Sequence, residues 1–214
     1  MPARTGRTYP AGMSSAGWPG KAWTAALVLA TAVLPGCVTD MSSGGQTSGV
    51  MLGGFNYAPQ YDFSEFWAAT DGRSFRVIFA GNPFPALPQE EVKQLLLPVM
   101  QANKPRPALR FTYEKPLEEP RPDYRLVLVF DPANDLGSSA VCSGVTRFKP
   151  PTPGRVYVYG VYCRNDLAMS ETTGWTQASG PDDPRMGQLF AQLFLVLFTD
   201  QPMRRWRNMP FGRW

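Results

Sequence analysis

Apolar and polar residues alternate across Ser74–Ala80 (SFRVIFA), which predicts a strand stopped by Gly81-Asn82-Pro83. Pro88-Gln89-Glu90-Glu91 opens a helix, because proline suits a first turn and acids meet its positive end. Val92, Leu95, Leu96 and Val99 follow at helical spacing, and Pro98 is expected to kink or stop that helix after roughly three turns. Residues 109–113 read as a short strand, and Tyr124–Phe130 (YRLVLVF) as the strongest strand in the chain. Segments 141–148 and 155–163 flank Pro151-Thr152-Pro153-Gly154 and predict a hairpin. Residues 167–170 and 175–178 suggest another around Thr173-Gly174.

The last element is a helix capped by Asp183-Pro184. Met186, Leu189, Phe190, Leu193, Phe194 and Leu197 make one stripe, widened by Leu195, Val196 and Phe198. A helix this apolar has to be covered on most sides, by the sheet or in part by a partner or apolar ligand. The order β-α-β-β-β-β-α predicts an α+β domain over residues 61–203, an antiparallel sheet with two helices on one face. Residues 38–58 are rich in Gly and Ser and lack periodicity, so 37–60 is expected to be a disordered tether.

Charge changes the picture at the N-terminus. The chain of 214 residues carries a net charge of +4, yet Arg4, Arg7 and Lys21 precede Cys37 with no acid among them. Beyond residue 36 the count is 18 basic against 17 acidic side chains, so affinity for nucleic acid is not expected. The early cations form an n-region, and residues 22–34 an uncharged run of 13, suited to a secretion signal and short for a membrane span. Met13 offers a second start that keeps Lys21 and changes nothing downstream.

Leu34-Pro35-Gly36-Cys37 resembles a bacterial lipobox, with an apolar residue three positions before the cysteine and a small one immediately before it. The resemblance implies cleavage after Gly36, so that 1–36 is a signal peptide and Cys37 carries diacylglycerol. It also implies acylation of the new amine, and Val38 in place of Asp favours the outer membrane, facing the periplasm. Two or three acyl chains are enough for stable anchoring.

Two cysteines remain, Cys142 and Cys163, and an oxidising periplasm would join them. In the expected hairpin, a register setting Pro150 opposite Arg155 sets Cys142 opposite Cys163, close enough at Cβ for a bridge.

The chain has no histidine, which removes Ser-His-Asp and Cys-His catalysis and His-ligated metals. No phosphate loop is found, and no metal or cofactor is expected. Paired carboxylates could still cleave a glycosidic bond, with Asp131, Asp135, Asp166 and Glu171 as nominal candidates, though turn formation and solvation suit them as well. Tyr157 and Tyr159 share a strand face and could stack on a sugar or a partner. In the tail, residues 204–214, Arg204, Arg205, Arg207 and Arg213 interleave with Trp206, Phe211 and Trp214. That mixture suits an anionic membrane surface or a partner. The expected function is therefore that of a non-enzymatic accessory or interaction module, held to the membrane through acyl chains on Cys37 and working with an envelope protein partner. A carboxylate-dependent wall hydrolase and a stand-alone lipid- or glycan-binding module remain the alternatives.

Overall fold

The computed structural model describes residues 49–116 and 122–202. The expected signal peptide, Cys37 and the basic-aromatic tail lie outside the described residues. The order is β1 (Val50–Tyr57), α1 (Phe63–Thr70), β2 (Ser74–Ala80), α2 (Gln89–Ala102), β3 (Arg110–Thr112), β4 (Tyr124–Phe130), α3 (Ser138–Cys142), β5 (Val156–Arg164), β6 (Leu167–Thr176) and α4 (Pro184–Leu197). The six strands form one sheet ordered β1-β6-β5-β4-β2-β3, so the fold is α+β.

Alternation decides which face each strand buries. Leu126, Leu128 and Phe130 of β4 point to the same side as Tyr162, Gly160 and Val158 of β5. On that side α4 lays down Met186, Leu189, Phe190, Leu193, Phe194 and Leu197, all buried, and α2 adds Val92, Leu96 and Met100. The close approach of α4 has a local cause. A Cβ at Gly160 would lie 2.9 Å from Leu197 Cδ1, so only glycine lets the helix settle this near the strand. The α1 helix, capped by the Asp62 carboxylate on the Ser64 amide at 2.8 Å, stacks Phe66 on Phe198 at 4.4 Å.

Several expectations are corrected. The sheet is mixed rather than antiparallel: β2 runs parallel to both β3 and β4. A crossover connection is what parallel neighbours require, and α2 supplies it between β2 and β3. The ordered fold also reaches back into the expected tether, where β1 pairs antiparallel with β6. Its Gly53 lies close against β6, where a Cβ would meet the Thr173 hydroxyl at 2.1 Å. Pro98 does not stop α2, which continues to Ala102. Both Pro98 and Gln94, whose carbonyl loses its helical partner, lie on the exposed side, where water can replace the bond.

The expected hairpin around Thr173-Gly174 is instead one ten-residue strand, β6. The reversal comes earlier, at Asn165, whose φ of 51° suits asparagine. Nor do residues 141–148 pair with 155–163: α3 begins at Ser138, and the neighbours of β5 are β4 and β6. Two helices, α1 and α3, were absent from the expected order, and α3 packs on the opposite sheet face from the other three.

Candidate functional site

The second sheet face carries Tyr157, Tyr159 and Cys163 from among the residues singled out in the sequence. Its central part is apolar: Val127, Val129, Val161 and Tyr159 form a smaller core with Val141 and Cys142 of α3 and with Leu136. The structure joins Cys142 to Cys163 with Cα atoms 5.6 Å apart. The route differs from a cross-strand bridge, because Cys142 comes from the last turn of α3 and Cys163 from β5. The bond therefore clamps α3 onto the sheet.

Toward the end of the sheet where β1 starts, one row crosses three strands: Met51, Trp175 and Tyr157 lie in register. Cations cover the rings of this row. Lys149 Nζ lies 4.7 Å from the Tyr157 ring centre, and Arg155 Cζ lies 4.3 Å from that of Trp175 and 5.6 Å from that of Tyr157. Tyr159 shares the face but is buried, and its hydroxyl donates to Glu171 Oε2. Burial, with the Glu171 carboxylate beside it, pushes the Tyr159 phenol well up. Of the two tyrosines, Tyr157 has its ring covered by cations and Tyr159 is packed inside. Trp175, which the sequence reading did not select, is the second aromatic of the row. Period-2 spacing from Tyr157 could not find it, because the two meet only through the β5–β6 pairing.

The four nominal acids go to different places. Asp131 follows β4 with φ 46° and is 6% exposed. Burial raises its carboxyl from the usual range, against a smaller lowering by Lys149 and Arg155. Asp135 is held by Arg147 at 2.7 Å, and Glu171 accepts the Tyr159 bond. Asp166 sits in the β5–β6 turn at the far end of the sheet. Because the Asp131 amide donates to the Tyr157 carbonyl at the start of β5, nearly the whole strand separates the two acids. That is about 25 Å, against the roughly 5–9.5 Å that glycoside cleavage requires. Asp131 and Asp166 do not form such a pair.

Two apolar grooves lie at opposite ends of the domain. One, of about 340 Å³, is walled by Pro83, Pro85, Pro151, Pro153 and Pro181 around Phe84. The other, of about 370 Å³, lies where α4 ends, between Phe63, Leu195 and Phe198, with the Arg106–Asp200 ion pair at its rim. Leu195 is 74% exposed there, so the widening of the α4 stripe expected from sequence is solvent-facing at that position. Among the described residues, no three His, Cys, Asp or Glu side chains converge as a metal site would need.

No protein-family model matches the chain, and no curated protein matches it. Among solved structures, it is similar to a PelC dodecamer from Paraburkholderia phytofirmans, at 11% identity and a TM-score of 0.35. That likeness spans 70% of this chain and 96% of the other. At this level it carries no argument about function.

Proposed function

We propose that the chain is a lipid-anchored envelope lipoprotein, attached through Cys37 to the outer membrane and facing the periplasm, where it serves as a non-enzymatic accessory or interaction module of a larger complex. The supporting observation is the position of the two chain ends that leave the folded domain. Val50, the first residue of β1, lies opposite Thr176, the last of β6. The other exit follows α4, where the Ser170 hydroxyl donates to the Leu197 carbonyl at 2.7 Å and the Tyr61 hydroxyl to the Thr199 carbonyl at 2.8 Å. Thr176 is six positions beyond Ser170 on β6, which puts the exits about 20 Å apart along the sheet.

An anchor upstream of β1 and a contact surface downstream of α4 therefore work at opposite ends. With β1 starting at Val50, twelve residues separate it from Cys37. Attachment at Cys37 leaves the α4 end, with its apolar groove and the residues Arg204–Trp214 that follow it in sequence, available to a partner in the periplasm.

The test is recovery of the acylated protein from its native envelope in mild detergent, with Cys37→Ser and a deletion of residues 204–214 alongside. The reading expects a stoichiometric protein partner, lost on deletion of the tail, and loss of membrane attachment in Cys37→Ser. Recovery of the protein alone, or a Cys37→Ser protein that stays in the membrane, overturns it.

A further inference from the structure

The part of the second sheet face that α3 leaves uncovered is rich in arginine. Arg76 on β2 lies in register with Arg125 on β4 and with Thr112 on β3, so the three side chains share that face. Adjacent strands lie about 4.8 Å apart, and like charges directly opposite each other are destabilising unless something neutralises them. For Arg125 the neutralising groups are present. It is 9% exposed, pairs with Asp123 at 2.6 Å and donates to the Cys142 carbonyl.

Arg76 differs. Its Nε is buried with no hydrogen-bond partner, and no ion pair joins the side chain to any described residue. Both arginines line a cleft of about 300 Å³ whose other wall is the turn after α3, with Ser143, Gly144 and Thr146. Asp123 and Asp166 also border it.

We infer that this cleft binds a compact oxyanion, a carboxylate or phosphate carried by a small molecule. Arg76 is the principal ligand, and Ser143 and Thr146 are hydroxyl donors across the cleft. Guanidinium presents a planar fork matched to two oxygens of such a group, and its bonds to an ionised acceptor are among the stronger hydrogen bonds. Asp123 and Asp166 set the size limit. They repel an extended polyanion, whereas a single oxyanion can sit between the arginine pair and the Ser143–Thr146 wall. The cleft lies wholly within the folded domain, apart from the lipid anchor proposed above.

The experiment is thermal unfolding of the full chain in detergent, titrated with sodium phosphate and, separately, sodium acetate at constant ionic strength. A ligand specific to the native state raises the midpoint in a saturable way. For the wild type, a saturable rise with at least one anion is expected. Arg76→Gln should abolish the response while leaving the midpoint in chloride alone unchanged or higher, since it removes an unpartnered buried group. Arg76→Lys keeps the charge without the fork and should weaken the apparent affinity roughly tenfold. Arg73→Gln, an exposed arginine outside the cleft, should respond like the wild type. A saturable response that survives in Arg76→Gln, or no saturable response of the wild type to either anion, overturns the inference.

Discussion

Arg164 Nη1 donates to both carboxylate oxygens of Glu65, at 2.9 Å each, and joins residues 99 apart in the chain. The same carboxylate accepts the Tyr124 hydroxyl, so one acid on α1 ties the helix to β4 and β5 together. Burial is the largest reason that the Tyr124 phenol is pushed up to about 12, with Glu65 adding to it. Replacement of Glu65 by Ala leaves a guanidinium and a hydroxyl without their acceptor and should cost about 1–3 kcal/mol. Urea unfolding at unchanged m-value measures this. In Glu65→Gln, ultraviolet titration should show one tyrosine lowered yet still above the ordinary phenol range, because the burial remains.

The Cys142–Cys163 bond closes a loop between positions 21 apart. On the chain-entropy account it stabilises the fold by about 3 kcal/mol. The double Cys142→Ser, Cys163→Ser protein should therefore unfold at a lower urea midpoint than the oxidised chain, and to the same extent as the chemically reduced wild type. An unchanged midpoint would show that α3 holds its place on the sheet without the bond.

Leu193 and Leu195 are two positions apart on α4 and behave as opposites. Leu193 is fully buried over Gly160 and Gly174, whereas Leu195 is 74% exposed. Leu193→Ala should lose about 2–5 kcal/mol through lost transfer energy and a cavity. Leu195→Ala should stay within about 0.5 kcal/mol of the wild type. Parallel denaturation curves of the two variants decide the matter.

Asp131 combines burial with a left-handed backbone that asparagine also tolerates. Its carboxyl is raised in the folded protein, chiefly by desolvation. The charged form is therefore disfavoured by folding, and the group costs stability above its folded titration range. That cost disappears as pH falls below the range of a free carboxyl. Asp131→Asn should raise the urea midpoint near neutral pH and match the wild type at about pH 3, below the free carboxyl. A lower midpoint at neutral pH would mean that Lys149 and Arg155 need the charge more than burial opposes it.

Legibility from sequence followed how local each signal is. The α4 stripe was readable residue by residue, since its six buried positions repeat at helical spacing around one capped start. β2 and β4 were readable for the same reason, as short β-prone runs bounded by turn residues. β1 was hidden because its glycines look like linker, whereas Gly53 serves a contact with Thr173, 120 positions away. In the candidate site, Tyr157 was visible, and Arg155 stands only two positions before it, but Trp175 and Lys149 reach it only through sheet pairing and a loop return. Leu95, placed on the helix stripe by its spacing, is 44% exposed, because α2 buries the narrower line of Val92, Leu96 and Met100.

From sequence by itself came the α+β class, the two long helices and the absence of imidazole chemistry, each a property of composition or of one contiguous segment. Only the tertiary structure decided the parallel arrangement of β2 with β3 and β4, the attachment of α3 through Cys142 and the meeting of Arg76 with Arg125. Each of these depends on which distant segments pair. Strand order and register are settled by the best total burial across the whole sheet, and no single window of the chain contains that sum.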